Sequence, residues 1–272
     1  MDTVRRGTER NMVGALTRTP VVLVHGWAGS AESWRPIQDL LDPATWEVIT
    51  LQLPGSPGGG QGPSTVRSAA QKLVSVLRKL SAPAVLVGHS MGAQVTLLAH
   101  TEAPVLIHSE VVIDAAYAGE ASTRQEMAVW AANIERAGHS SVSEFFASAT
   151  TGMSPADTAR VLGDLRATDP AVIASYLRSE YVDPDAIGLM PFTAEVAQFR
   201  RKPVLSIHST VQSVQREASL HTPPGSRSDL WDGHGHFLHL EDPARFVELL
   251  DGWRTAFLDP EKVPAGLERQ GR

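Results

Sequence analysis

Between Ala84 and Thr96 the chain runs from an apolar stretch, Ala84-Val85-Leu86-Val87, through Gly88-His89-Ser90-Met91-Gly92, into a segment carrying Val95, Leu97, Leu98 and Ala99. The apolar stretch is short enough for a buried strand, and the segment after it reads as a helix. The pentapeptide between them has the pattern G-x-S-x-G, with one serine at the apex of a sharp turn. Turning from strand to helix in so few residues forces that serine into a strained backbone conformation. Positions two away on either side must lack bulk if strand and helix are to approach, hence Gly88 and Gly92. The serine hydroxyl is then presented at the carboxyl end of a sheet, where a histidine can reach it. A glycine-rich pentapeptide also arises by chance, but the strand before it and the helix after it are the context the functional reading requires.

The 272 residues are 42% hydrophobic, enough for one sizeable core, arranged as one α/β domain or two small ones. A formal net charge of −6 argues against nucleic acid or an anionic membrane as the main partner. The absence of cysteine excludes disulfides, a cysteine nucleophile and thiolate metal sites. Met1 to Arg18 is polar and arginine-bearing without an apolar core, so it does not read as a secretory signal. No run is long enough to span a bilayer. A cytoplasmic protein is the default expectation.

Taken in order, a weak edge strand is expected around Met12 to Thr17, then a buried strand at Pro20 to Val24, closed by His25-Gly26-Trp27-Ala28-Gly29-Ser30. Ser30 or Ser33 is expected to cap a short helix carrying Trp34, Ile37, Leu40 and Leu41. A strand at Trp46 to Leu51 follows. The glycine-rich stretch Gly55 to Pro63 lacks the G-K-[ST] of a phosphate-binding loop and reads as a mobile loop. Apolar spacing from Val66 to Leu80 predicts a helix against the sheet. Ser109 to Asp114 reads as a strand ending on a carboxylate. From Tyr117 to about Phe199 the strand signal disappears, and Ser154-Pro155 and Asp169-Pro170 read as helix starts. Strands at Arg201 to His208 and Ser228 to Trp231 precede a final amphipathic helix through Phe246, Leu250, Trp253 and Phe257. After about Asp259 the chain is polar and reads as a frayed end. This alternation predicts a mostly parallel, doubly wound α/β sheet. The core is expected in two parts, residues 1–116 and 200–272, around a helical insertion at 117–199.

The order of these elements and three loop motifs resemble the α/β-hydrolase family over about residues 20 to 258. The motifs are His25-Gly26-Trp27, Gly88-His89-Ser90-Met91-Gly92, and Gly235-His236-Phe237-Leu238-His239-Leu240-Glu241-Asp242-Pro243. The resemblance implies Ser90 as nucleophile and His236 as its general base, since a serine hydroxyl is a weak nucleophile until a base takes its proton. It implies an oxyanion hole from the backbone N–H groups of Trp27 and Met91. His25 and His89 are given structural roles. His234 and His239 rival His236, but the family's catalytic histidine follows a glycine at the position of His236. A metal reading of His234, His236 and His239 lacks a carboxylate at matching spacing.

The family's acid usually lies just after the strand equivalent to Pro203–His208, and here Ser209 to Arg216 holds no carboxylate before Glu217. Some branches hold it after the strand that follows the elbow helix, which points to Asp114, with Glu217 or no acid as alternatives. The insertion would form a cap over the site. The resemblance implies a serine hydrolase acting on an ester, thioester or lactone of a small, mostly apolar molecule, without metal or organic cofactor. Carbon–carbon cleavage, perhydrolase or haloperoxidase-like chemistry, cofactor-free oxygen or lyase chemistry, and a non-catalytic binding protein are the alternatives.

Overall fold

In the computed structural model, which describes residues 18–258, six strands form one parallel sheet. They are β1 (Thr19–Val24), β2 (Trp46–Leu51), β3 (Ala84–His89), β4 (Ile107–Ile113), β5 (Val204–His208) and β6 (Arg227–Leu230). Their order is β2-β1-β3-β4-β5-β6. The chain winds outward from β1 to β2, then returns to the other side of β1 with β3. A crevice therefore opens at the carboxyl ends of β1 and β3, the place where open α/β sheets hold their ligands. The strand expected at Met12 to Thr17 and the polar tail after Asp259 lie outside the described residues.

Alternate residues of the central strands face opposite layers, as the two-residue period of a strand requires. Val21, Leu23, Val85, Val87, Val111 and Ile113 share one buried cluster with α1 (Arg35–Gln38), reached through a 3-10 turn at Ala31–Trp34, and with the last helix of the chain. Val22, Val24, Leu86 and Val112 face the other layer, with α2 (Val66–Leu77) and α3 (Met91–Glu102). Ser30, not Ser33, caps the first turn, accepting from the N–H of Glu32. Thr65 and Ser68 form a reciprocal capping box at the start of α2, which satisfies two donors that the helix itself cannot.

Five α-helices lie between β4 and β5: α4 (Thr123–Ala137), α5 (Ser143–Ala149), α6 (Pro155–Ala167), α7 (Pro170–Tyr181) and α8 (Phe192–Ala197). The side chains of Ser154 and Asp169 cap α6 and α7, each with proline in the first turn, as the sequence predicts. α7 packs on α4 and α2, α8 on α3, and α6 on the Ala31–Trp34 turn. β4 ends at Ile113, so Asp114 is the first residue beyond the strand rather than its last. The segment after β5 that holds no carboxylate before Glu217 forms α9 (Val211–Ala218), capped by Thr210. α10 (Leu238–Glu241) and α11 (Pro243–Leu258) complete the described residues.

Candidate active site

Ser90 stands between β3 and α3 with φ 53° and ψ −118°, a left-handed conformation that a non-glycine residue adopts only under constraint. The constraint is close packing. A Cβ at Gly92 would lie 2.3 Å from the carbonyl oxygen of Val24 in β1, and one at Gly88 would lie 2.6 Å from that of Gly92. The two glycines let β1, β3 and α3 converge beneath the serine, as the spacing predicts. Ser90 is 7% exposed, and its N–H donates to the carbonyl of Ile113 at the end of β4 (2.9 Å).

The loop after β1 lies directly against this turn, since a Cβ at Gly26 would come within 3.2 Å of the Ser90 Cβ. His25 holds the loop: Nδ1–H donates to the Gly26 carbonyl (2.9 Å) and Nε2 accepts from the N–H of Leu53 (3.3 Å). Burial lowers its pKa to about 4, so the ring is neutral, as one donor and one acceptor require. Met91 opens α3, so its amide is one of the first-turn donors that no carbonyl of the helix reaches. Trp27 sits in the turn between Gly26 and Ala28, and Ala28 has φ 54°.

His236 approaches from the other side. Its Nδ1 lies 2.7 Å from Asp114 Oδ2, and with Nδ1–H donating to the carboxylate, Nε2 is left to face away from it. Ser209 donates both its N–H (3.1 Å) and its Oγ–H (3.0 Å) to Asp114 Oδ1. Burial pushes the Asp114 carboxyl up, but His236 and the two Ser209 donors outweigh it and hold the group below the ordinary carboxylate range. Asp114 itself has φ 42°. Ser209 occupies the place where the sequence holds no carboxylate, and there it donates to Asp114, the first residue beyond the neighbouring β4. Glu217, the alternative acid, is elsewhere: it is buried, pairs with Arg200 (2.8 Å), and accepts from the hydroxyl of Tyr117 (2.7 Å).

Two contacts that sequence reasoning missed fix the His236 loop. His89 Nε2–H donates to the carbonyl of His236 (2.9 Å), tying the loop to the residue just before Ser90. Both carboxylate oxygens of Glu241 accept from the N–H of Gly235, at 2.9 and 3.0 Å. Burial, reinforced by neighbouring histidines, holds His89 well below the usual histidine range and His239 at about 3. Both stay neutral beside His236. His239 stacks against Trp34, ring centroids 4.5 Å apart. Among the described residues no group of three or more His, Asp or Glu side chains is arranged to hold a metal ion.

The inserted helices reach the site through aromatic rings. Trp27 Nε1–H donates to the carbonyl of Ile173 in α7 (2.9 Å), and its ring packs on Trp130, Phe145 and Phe146 at 5.2, 5.9 and 5.9 Å. Phe145 also lies 6.2 Å from His236. The loop that carries Trp27 is thus walled on its outer side by α4 and α5.

Ser90 thus follows β3 in a parallel α/β sheet, next to His89, whose ring centroid lies 4.8 Å from that of His236, and His236 is paired to Asp114. Residues 21–249 match the alpha/beta hydrolase family, and the chain belongs to it. A curated relative, the uncharacterized hydrolase YugF of Bacillus subtilis, is 36% identical over 102 residues, covering 35% of this chain and 36% of that protein. Among solved structures, a thermophilic esterase from Thermogutta terrifontis superposes with a TM-score of 0.74 at 20% identity, covering 89% of this chain and 91% of the esterase. A bromoperoxidase from Bacillus anthracis gives 0.71 at 20% identity, covering 86% and 91%. At that identity these two share the fold. Among the described residues no helix is long and apolar enough to cross a membrane.

Proposed function

We propose that this protein is a serine hydrolase that cleaves an ester, thioester or lactone bond of a small, mostly apolar molecule through an acyl-enzyme. The observation that carries the reading is the 2.7 Å contact between His236 Nδ1 and Asp114 on a loop moored to the strained Ser90 turn. In this reading Ser90 Oγ attacks the substrate carbonyl while His236 Nε2 takes its proton. Asp114 holds the imidazole in the right tautomer and stabilises the imidazolium that forms. The N–H groups of Met91 and Trp27 receive the oxyanion of the tetrahedral intermediate. Collapse passes the proton from His236 to the leaving oxygen or sulfur, and a water activated by His236 then releases the acid and restores Ser90.

The insertion serves as a cap, and Trp130, Phe145 and Phe146 offer the substrate's apolar part a hydrophobic wall next to Trp27. Neither metal nor organic cofactor enters this course. The likeness to a bromoperoxidase supports a second reading, in which hydrogen peroxide replaces water at the acyl-enzyme and yields a peracid.

The test is mass spectrometry of the intact protein after a fluorophosphonate probe, with peptide mapping. One adduct on Ser90 is expected, absent in Ser90→Ala and His236→Ala. Asp114→Asn should lower turnover of a small ester by about three to four orders of magnitude. An unlabelled Ser90 in folded protein would sink the acyl-enzyme, and undiminished turnover in Asp114→Asn would remove Asp114 from its role.

A further inference from the structure

Two residues beyond Asp114, the carbonyl of Ala116 accepts two hydrogen bonds at 2.6 Å, from Tyr181 Oη at the end of α7 and from Gln94 Nε2 in α3. Gln94 Nε2 also donates to Oε2 of Glu180 in α7 (3.0 Å). The N–H of Ala116 donates in turn to the carbonyl of Ser90 (3.3 Å). One short turn therefore joins the serine, the carboxylate paired to His236, and the last residues of α7. The turn is bounded by Asp114 (φ 42°) and Ala118 (φ 58°), conformations that L-residues keep only when surrounding contacts over-determine them.

Gln94 is fully buried and Glu180 is 2% exposed, so water cannot stand in for either side chain without a cavity opening. Nothing in the hydrolytic course uses these three side chains. We propose that Tyr181 and the Gln94–Glu180 pair are positioning residues that set the Asp114–Tyr117 turn, so that the carboxylate reaches His236 only when α7 is docked on the core. The proposal rests on the reading of Asp114 as the acid. Without the two donors, the Ala116 peptide is free to rotate and Asp114 can relax toward negative φ. Oδ2 is then carried away from His236 Nδ1.

Burial raises the Glu180 carboxyl well above its ordinary range, so it meets Gln94 as the neutral acid. A neutral acid opposite an amide can serve both ends of it. Gln94 Nε2–H donates to the carboxyl, and Gln94 Oε1 is a buried atom without a hydrogen-bond partner, to which a protonated carboxyl can turn its O–H. A glutamine at position 180 can do the same, whereas an alanine cannot.

The experiment compares the full-length wild type with Tyr181→Phe, Glu180→Gln and Glu180→Ala. The first readout is the low-field proton NMR signal of the His236 Nδ1–H, assigned by its loss in His236→Gln. The second is hydrolysis of p-nitrophenyl acetate. In Tyr181→Phe and Glu180→Ala the signal should broaden or vanish. Their kcat should fall about tenfold to a hundredfold, as expected for a reacting group displaced by a fraction of an ångström to one ångström, with KM within about twofold. Glu180→Gln should restore both signal and rate. An intact signal and unchanged kcat in both Tyr181→Phe and Glu180→Ala, with a lowered melting temperature alone, would overturn the proposal by reducing these residues to scaffold. A wild type without the signal would overturn it too, since Asp114 and His236 would not be paired. A wild type that shows the signal but neither turnover nor Ser90 labelling would sink the hydrolase reading. The NMR comparison would still decide the role of α7.

Discussion

Asp114 receives three hydrogen bonds, one on Oδ2 from His236 and two on Oδ1 from Ser209. Charge-assisted bonds of this kind contribute about 1.5–3 kcal/mol each, and their geometry fixes which way the free lone pairs point. Ser209→Ala keeps the N–H donor and removes the hydroxyl. We expect kcat for a small ester to fall about tenfold, with the carboxyl less depressed than in the wild type. Steady-state kinetics will check this, and an unchanged kcat would mean that the N–H alone suffices. Glu217 illustrates the opposite use of a carboxylate. With Glu110 it surrounds the buried Arg200, whose Nη2–H also donates to the hydroxyl of Tyr117 (2.9 Å). Burial raises Glu110, but Arg200 and His100 outweigh it and bring the carboxyl to about 2. Arg200→Met would leave two carboxylates buried without their cation, a loss of about 3–5 kcal/mol visible in urea unfolding.

At the scale of elements, the elbow depends on glycine for a reason that another glycine does not share. Gly92→Ala forces a Cβ to 2.3 Å from a β1 carbonyl, whereas a Cβ at Gly163 in α6 meets nothing within 4 Å. We expect Gly92→Ala to lower stability by about 1–3 kcal/mol or more, and Gly163→Ala to raise it by about 0.5–1 kcal/mol. Thermal unfolding of the two variants side by side tests both, and similar melting temperatures would refute the packing argument. The elements with local signatures were legible from the chain. These are the β-branched runs of β1 and β3, the Ser-Pro and Asp-Pro starts of α6 and α7, and the glycines around Ser90. α9 was not, because its helically spaced Val211, Val214 and Ala218 extend over only eight residues, too short a run to decide by pattern. The site divides the same way. Ser90 and His236 announce themselves by neighbouring residues. Asp114 came from the resemblance, as the position some branches of the family use when the usual one holds no carboxylate, with Glu217 or no acid left open. Tyr181 and Ser209 had no local signal, since the Tyr181 contact spans 65 residues and the Ser209 contact spans 95.

Over the whole molecule, the junction between insertion and core carries a titratable group. Glu180 faces Gln94 from α3 and lies near Tyr176 and Tyr181 of its own helix, with Arg216 of α9 close to Tyr181. Burial raises its carboxyl well above the ordinary 4.5, so the folded protein binds this proton more tightly than the unfolded chain does. That preference stabilises the native state fully below the unfolded value and is lost as pH rises through the folded one. Glu180→Gln carries no such proton. The stability of the wild type relative to this variant, read from urea midpoints, should therefore decline as pH rises above the ordinary carboxylate range. A difference that stays constant would mean that the carboxyl is already ionised when folded.

The insertion departs from β4 and returns to β5, adjacent strands paired in register from Glu110 with Val204 to Ile113 with Ile207. Both of its ends are stapled by one ladder, so lengthening or replacing what lies between them adds closure entropy only logarithmically. On the proposed reading, what the molecule accepts as a guest can therefore drift as an exchangeable cassette, while bond-breaking stays on the loops that follow β1, β3, β4 and β6. If α7 sets the acid turn as proposed, that freedom has one condition: any successor cassette must bring its own donor to the carbonyl of Ala116.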